Sequence, residues 1–273
     1  DFSGKYVKLT APIDLKGGTP TVTKTPSGDK FNISVTNPVG QNGEAIPIEN
    51  VWVPIGTFSN RFKGTFDGNE CEVRNMTVLL NNANSGVYAG LFGCSDGGSI
   101  KDTGVKGNVC IFASSYDCCA GGLVGESYSS SSGSSITDSY ATVNVYASSS
   151  SSNHAYAGGL VGSSNKASIS NSYATGNVYA FSASSSAAYA GGLVGYISSS
   201  SISNSYATGN VYAFSSSASV YAGGLVGESY SSSSGSSITD SYATGNASAS
   251  SSSVAYAGGL VGYFESSSSG KIS

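Results

Sequence analysis

Charged residues, histidine and long apolar runs are all scarce in this chain. Only 10% of its 273 residues are charged, the net charge is −4, and there is one histidine. A protein that binds nucleic acid or an anionic membrane carries a basic patch, and this composition does not supply one. We therefore expect neither nucleic acid nor an anionic membrane as a partner. No apolar run is long enough to cross a bilayer, so we expect no membrane-spanning segment.

Proline, tryptophan and methionine are missing from most of the chain. All six prolines, Trp52, Met76 and most of the charged residues lie within residues 1–80. Terminal units of a stacked repeat are usually atypical because they cap the stack. We therefore interpret residues 1–80 as an N-terminal cap and first coil, with an inserted excursion at about 17–50 that contains a hairpin around 31–35.

Glycine, serine and tyrosine dominate the rest, and they recur in a fixed order. A Gly-Leu-Val-Gly motif repeats at intervals of 32, 37, 33, 32 and 35 residues, a period typical of solenoids and propellers. The motif begins at Gly90 (in a looser form), Gly122, Gly159, Gly192, Gly224 and Gly259. A composition rich in Gly and Ser also resembles disorder, except that the apolar positions are regular.

The spacing between motifs varies only in serine-rich turns. Residues 168–181 recur unchanged at 201–214. A loop lengthens at little cost, whereas a shifted strand turns its apolar face outward. The sequence therefore predicts an all-β parallel solenoid over residues 81–273, with two or three short strands per unit and an incomplete last repeat. A four-stranded propeller blade is the second choice, because it needs more strand per unit.

Two lysines in the first unit show which way its strands face. Lys101 occupies the position of Ser170, and Lys106 that of Thr175. Because lysine is rarely buried unpaired, both positions should face solvent. The two positions would face opposite sides of a single straight strand, so we expect the chain to bend between them, at the corner formed by Asn171 and Ser172.

Identical side chains of successive coils should stack into columns. We expect an inward column of Ile136, Ile169, Ile202 and Ile238. We expect a corner column of Asp102, Asp138, Asn171, Asn204 and Asp240. On an outer flank we expect Tyr140, Tyr173, Tyr206 and Tyr242, beside Thr142, Thr175, Thr208 and Thr244. The facing of the tyrosine before each Gly-Gly pair stays open, because one of the two glycines is optional and suggests a bulge inside a strand.

The motif Gly-Leu-Val-Gly with Ser-Ile-Ser-Asn-Ser-Tyr-Ala-Thr-Gly-Asn-Val resembles the GLUG-repeat family of bacterial surface proteins. The opening residues 9–15, 52–56 and 66–69 resemble the segment that precedes such repeats. The resemblance implies a right-handed parallel β-helix on large secreted or surface-attached proteins, including adhesins and some immunoglobulin A proteases. The chain lacks the His-Glu-x-x-His zinc motif of the protease members.

Residues suited to catalysis or metal binding are few and scattered. His154 has no acid or cysteine nearby in sequence, so it supports neither a catalytic triad nor a metal site. The carboxylates Asp67, Glu70, Glu72 and Asp102 show no pattern expected of a sugar-cleaving pair. We therefore predict no catalytic residue, no metal site and no cofactor. The corner Asp and Asn column could hold Ca²⁺, although bonding to neighbouring backbone is the preferred interpretation.

The five cysteines lie in the first half of the chain and show no metal-binding spacing. Cys110 and Cys119 occupy positions that carry tyrosine in later repeats. This indicates packing or a local crosslink.

These features predict a non-enzymatic, secreted or cell-surface module of a bacterium, adhesin-like or a stalk. Its partner would be a host or neighbouring-cell protein or glycan, and it could be part of a larger surface protein. The alternative is a carbohydrate-active β-helix enzyme, or an accessory segment of a larger surface enzyme. The candidate binding residues are the outer tyrosine column with Thr175 and Thr208, because tyrosine offers a large rigid surface with a hydroxyl. The tyrosines could equally be structural, and the threonine column also fits an ice-binding surface.

Overall fold

The computed structural model of the chain is built from β-strands, and its described residues contain no helix. It describes residues 2–17, 19–26, 31–39, 52–82, 86–113, 116–130, 133–150, 153–183, 185–231, 235–266 and 270–273. Within 19–26, 31–39 and 81–82 it describes the backbone.

Each coil contributes strands to four sheets, which we number in chain order. Sheet 1 contains β1 (Tyr6–Lys8), β5 (Thr65–Asp67), β9 (Ser99–Lys101), β13 (Ser134–Thr137), β17 (Ala167–Ser170), β22 (Ser201–Ser203), β27 (Ser237–Thr239) and β32 (Lys271–Ile272). Sheet 2 contains β2 (Ile13–Asp14), β6 (Glu72–Asn82), β10 (Gly104–Ala113), β14 (Tyr140–Ser149), β18 (Tyr173–Ala174), β19 (Val178–Ser182), β23 (Tyr206–Ala207), β24 (Val211–Ser215), β28 (Tyr242–Ala243) and β29 (Ala247–Ser251). Sheet 3 contains β7 (Val87–Ala89), β11 (Cys118–Gly121), β15 (Ala155–Gly158), β20 (Ala188–Gly191), β25 (Val220–Gly223) and β30 (Ala255–Gly258). Sheet 4 contains β8 (Phe92–Asp96), β12 (Val124–Tyr128), β16 (Val161–Asn165), β21 (Val194–Ser198), β26 (Val226–Ser231) and β31 (Val261–Ser266).

The strands of one coil do not pair with one another; each pairs in parallel with its counterpart one coil away. This arrangement confirms the β-solenoid, since a propeller blade would join its four strands into one sheet. The expectation of two or three strands per unit is wrong, because each full coil has four, and sheet 2 splits its strand in the later coils. In the coil from Ala167 to Ser198, strands of two to five residues with short connections fit four sides into one repeat. The right-handed sense of the coil stays a prediction.

The corner between sheets 1 and 2 lies where the lysine comparison places it. Asp102, Asp138, Asn171, Asn204 and Asp240 all have a left-handed backbone, with φ between 47° and 51°. Asp and Asn tolerate this conformation better than other side chains do, because a short polar group can bond locally. The side chains also bond along the column, since the Asn171 amide donates to Asp138 Oδ1 at 3.0 Å.

A buried serine follows three of the five corner residues, Asp138, Asn171 and Asn204, and completes the hydrogen bonds of the turn. The Ser139 amide donates to Ser172 Oγ at 3.2 Å, and that hydroxyl donates to the Ser170 carbonyl at 2.8 Å. The Ser172 amide donates in turn to Ser205 Oγ at 3.2 Å. Each serine thus pairs backbone groups that the turn would leave unbonded in the interior.

The interior is narrow and filled with small or branched side chains. The four isoleucines of the inward column are at most 1% exposed, which confirms their predicted facing. Ala174, Val178 and Ala180 are also buried. In the last coil the equivalent inward positions, such as Ala247 and Leu260, are only partly buried.

The second glycine of each Gly-Gly pair and the leucine after it form the corner between sheets 3 and 4. In the third coil β15 ends at Gly158 and β16 begins at Val161, so Gly159 and Leu160 make the turn. The expectation of a bulge inside a strand is therefore wrong: the optional glycine lies in the turn, where one residue more or less does not shift a strand register. Leu160 points into the core.

Residues before 80 continue the same sheets. β1 pairs with β5, and β2 pairs with β6. Ile55 and Phe62 form parallel bridges to Phe92 and Ser95 of sheet 4. The antiparallel pair β3 (Thr19–Pro26) and β4 (Phe31–Val39) forms a separate two-stranded sheet within the inserted segment.

Candidate binding surface

The outer face of sheet 2 carries the predicted tyrosine column. Strand register aligns the four rings, and their centroids are 4.9, 4.9 and 5.1 Å apart at interplanar angles of 3° to 5°. The column consists of Tyr140, Tyr173, Tyr206 and Tyr242. The rings face outward, because the adjoining Ala141, Ala174 and Ala207 are buried.

Stacking decides which part of each ring a ligand could reach. Because neighbouring rings lie nearly parallel with centroids 4.9 to 5.1 Å apart, each interior ring covers the faces of its neighbours and no sugar ring fits between them. The ring edges and hydroxyls remain for solvent or a partner. The Tyr140 hydroxyl donates to Glu72 Oε1, whereas no hydrogen bond is made by the hydroxyls of Tyr173, Tyr206 and Tyr242 within the described part of the chain.

The predicted threonine column lies beside these tyrosines and is open to solvent. Thr142, Thr208 and Thr244 are exposed, and Thr175 is half-buried. The Thr175 hydroxyl donates to Thr142 Oγ1 at 3.3 Å. The structure therefore brings the sequence-predicted tyrosines and threonines together on one surface, two residues apart along each strand.

An asparagine column follows the threonines and is occupied by structural bonds. Asn144, Asn177 and Asn210 each accept, through Oδ1, the backbone amide of the asparagine one coil later at 3.0 Å. In the later coils the strands of sheet 2 are interrupted at this position, and the side-chain bond takes the place of backbone bonds between neighbouring strands. The close backbone approach there requires glycine: a Cβ on Gly176 would lie 1.9 Å from the Val143 carbonyl oxygen.

A second tyrosine column borders the far side of the asparagines. Tyr146, Tyr179 and Tyr212 stack with centroids 4.7 and 5.0 Å apart. Cys110 lies in register with Tyr146, as the repeat alignment predicts. The outer face of sheet 2 is thus a band of threonine and asparagine between two tyrosine columns.

A third tyrosine column lies on sheet 3, and it settles the facing that the sequence left open. Tyr156, Tyr189, Tyr221 and Tyr256 stack at 4.8 to 5.2 Å. They point outward, because the alanines on both sides of Tyr156 are fully buried. The alternation Ala-Tyr-Ala is the sequence signal that could have identified this facing.

Outward side chains of sheets 3 and 4 meet across the Gly-Gly corner. The Tyr196 ring makes edge contacts with Tyr156 and Tyr189 at 5.7 Å. Tyr263 makes tilted contacts with Tyr221 and Tyr256, at centroid distances of 5.7 and 4.9 Å. We call this concave seam the outer cleft; its sheet 4 side is formed by Cys94, Glu126, Ser163, Tyr196, Glu228 and Tyr263.

Three of the four carboxylates considered for catalysis, Asp67, Glu72 and Asp102, are held in ion pairs, and Asp67 and Asp102 share Lys101. Lys101 Nζ lies 3.0 Å from Asp67 on sheet 1, and Lys106 Nζ lies 2.7 Å from Glu72 on sheet 2. A Tyr6 hydrogen bond to Asp67, followed by Lys101, lowers the pKa of Asp67 to about 2. Lys106, followed by Tyr140, lowers the pKa of Glu72 to about 2. Both groups are therefore ionised and engaged at neutral pH.

His154 and the cysteines serve packing in this structure. The Ala187 amide donates to His154 Nδ1 at 3.2 Å, and the imidazole contacts the Tyr156 and Tyr189 rings. All five cysteines are free thiols, and all but Cys71 are buried. Burial raises the pKa of Cys110 to about 12, so this thiol is inert. The described residues contain no group of His, Cys, Asp or Glu suited to hold a metal ion.

The fold and its columns define a β-solenoid with three outer columns of stacked tyrosines. The GLUG motif matches residues 116–146, 153–179 and 186–212, three consecutive repeats. The chain therefore contains GLUG repeats, which confirms the resemblance seen in the sequence. A search of curated proteins finds no match.

A solved structure shares the fold. The crystal structure of a candidate immunoglobulin A1 protease from Bacteroides ovatus aligns with a TM-score of 0.50 and 20% identity, over 98% of this chain and 71% of that one. At this identity the likeness concerns the fold. The described residues include no helix of the length and apolarity needed to cross a membrane.

Proposed function

We propose that this chain is a non-enzymatic binding module of a secreted or cell-surface bacterial protein, adhesin-like, which contacts a host or neighbouring-cell protein or glycan through sheet 2. The observation that supports this proposal is the row of outward hydroxyls of Tyr173, Tyr206 and Tyr242 beside the exposed threonines. A row repeated once per coil presents the same donor and acceptor at intervals near 5 Å. This spacing suits an extended partner with its own short repeat, such as a glycan chain.

The stacked geometry revises how such a partner would be recognised. Sugar rings often pack against aromatic faces, but here the faces are covered by neighbouring rings. Recognition would therefore depend on hydroxyl hydrogen bonds at the ring edges, supported by the threonine hydroxyls.

Changing Tyr173 and Tyr206 together to phenylalanine tests this directly. The rings still stack, so stability should change by less than about 1 kcal/mol. Losing two hydrogen bonds should weaken adhesion to host cells, or to a positive spot on a glycan array, by about tenfold. The matched control is Tyr179→Phe with Tyr212→Phe in the second column, which should bind as the wild type does.

The structural alternative for the tyrosines gives a different result. If Tyr173→Ser with Tyr206→Ser lowers the melting temperature by several degrees, while adhesion per folded molecule is intact, the column serves packing. Unchanged adhesion by the phenylalanine pair would also contradict the proposed site.

The alternative of a carbohydrate-active enzyme, or an accessory segment of a larger surface enzyme, has a separate test. We expect no hydrolase or lyase turnover on polysaccharides or peptides, because Asp67 and Glu72 are tied to lysines and neither holds a proton for general acid catalysis near neutral pH. Turnover that disappears in Asp67→Ala or Glu72→Ala would assign a catalytic role to these carboxylates.

A further inference from the structure

Two coils of the solenoid contain the same sequence in different surroundings. Residues 120–142 and 222–244 are identical, and both include the segment Gly-Glu-Ser-Tyr in sheet 4. Glu126 and Tyr128 in the first copy correspond to Glu228 and Tyr230 in the second. Any difference between these sites comes from the neighbouring coils.

The first copy holds an arginine. Arg61 Nη2 lies 2.8 Å from Glu126 Oε2. The Arg61 guanidinium carbon also lies 5.1 Å from the centre of the Tyr128 ring and 4.9 Å from that of Phe58. A guanidinium between a carboxylate and aromatic rings gains from both the ion pair and the cation–π contact.

The second copy has the same carboxylate and ring without a cation. Glu228 is 8% exposed, and no lysine or arginine forms an ion pair with it in the described part of the chain. Tyr230 is 38% exposed. A second carboxylate, Glu265, lies in register with Tyr230 one coil later.

The electrostatics around Glu228 favour an incoming cation. Burial, then the nearby Glu265 carboxylate, raises the pKa of Glu228 to about 7, against a hydrogen bond from Tyr189. Tyr189, Tyr196 and Tyr221 also interact electrostatically with Glu228, and burial raises the pKa of Tyr196 to about 12. A buried carboxylate without a cation is costly to ionise, so a cation that reaches it recovers that cost.

We propose that Glu228 and Tyr230 form a binding site for an arginine side chain of a partner protein. The site repeats the Glu126 and Tyr128 arrangement, with the arginine supplied from outside the chain. It lies on sheet 4 in the outer cleft, away from the sheet 2 columns, and is independent of their proposed role.

The neighbours of the two carboxylates explain why an internal arginine fits only the first. Glu126 lies in register between the small side chains of Cys94 and Ser163, so Arg61 can reach it along the column. Glu228 lies in register between Tyr196 and Tyr263, two large side chains at the positions that Cys94 and Ser163 occupy beside Glu126. A guanidinium can therefore approach Glu228 only from the solvent side, over the exposed Tyr230 ring.

The test compares N-acetyl-arginine amide with N-acetyl-citrulline amide, which has nearly the same shape without the charge. Titrations are followed by NMR of the Tyr230 ring. We expect the arginine compound to shift this signal saturably at pH 8, and the citrulline compound to bind at least about tenfold more weakly. Affinity should fall by about tenfold or more between about pH 8 and about pH 5.5, because Glu228 takes up a proton.

Three variants locate the site. Glu228→Gln should abolish the arginine-dependent shift, whereas Glu265→Gln keeps the contacting carboxylate and should lose about threefold or less. Arg61→Ala opens the first copy, so the Tyr128 ring should respond to the arginine compound in that variant and not in the wild type.

Equal binding of the two compounds, no binding of either, or arginine binding that survives Glu228→Gln would overturn the proposal. The comparison of arginine with citrulline and the pH series need only the wild-type chain, so they stand even where a variant does not fold.

Discussion

Gly192→Ala is expected to unfold the centre of the solenoid, whereas the same change at Gly259 should be tolerated. A Cβ on Gly192 would lie 2.0 Å from the Gly224 carbonyl oxygen and 2.8 Å from the Ala207 Cβ. Both contacts involve atoms of the sheet framework, so the coils would have to separate. We expect a loss of about 4 kcal/mol or more in unfolding free energy.

Gly259 is the matched control because it holds the same motif position in the last full coil. A Cβ there meets nothing within 4 Å, and neither glycine has a left-handed backbone. Gly259→Ala should change the unfolding free energy by at most about 1 kcal/mol. Denaturant unfolding followed by circular dichroism measures both variants. Similar losses at the two positions would show that coil contact is not the reason for the glycine.

Ile169→Ala is expected to cost about 2 to 5 kcal/mol of unfolding free energy, because a buried branched side chain leaves a cavity that close-packed neighbours cannot fill. Ile169 is 1% exposed and lies in register between Ile136 and Ile202. Sheet 1 has no larger side chain nearby in these coils that could move into the space, since serines flank each isoleucine along the strand.

The control for this change is Ile272→Ala, at the same repeat position in β32. Ile272 is 44% exposed, so its truncation should cost less than about 1 kcal/mol. The midpoint of guanidinium unfolding distinguishes the two outcomes. A cost at Ile169 no greater than at Ile272 would contradict the inward isoleucine column as the main contact of sheet 1.

Comparison between the repeats predicted the parts of the fold in which every coil is alike. Lys101 and Lys106 located the corner, and its Asp and Asn residues have the left-handed backbone that a sharp bend requires. The inward isoleucines and the outward tyrosines followed from that corner. The number of strands per coil did not follow from the sequence. A strand of two residues, such as β18 or β23, is too short to show an alternation of apolar and polar residues.

The sequence predicted which residues form the candidate site but not how their rings pack. The sequence placed Tyr173 and Tyr206 on one outer flank, and the structure adds that their ring faces are covered. It also adds the column of Tyr189, whose facing the local spacing alone left open. Ring stacking depends on the distance between coils, and that distance is a property of the assembled sheet.

The sequence by itself determined the repeat, the solenoid, the corner residues and the inward column, because each is encoded within one unit and then copied. The tertiary structure alone decided the outer cleft and the state of its carboxylates. Glu126 and Glu228 have identical local sequences, yet one is paired with Arg61 and the other has no cation in the described structure. The difference arises because each carboxylate is surrounded by side chains from coils more than 30 residues away in the chain, between which only stacking creates contact.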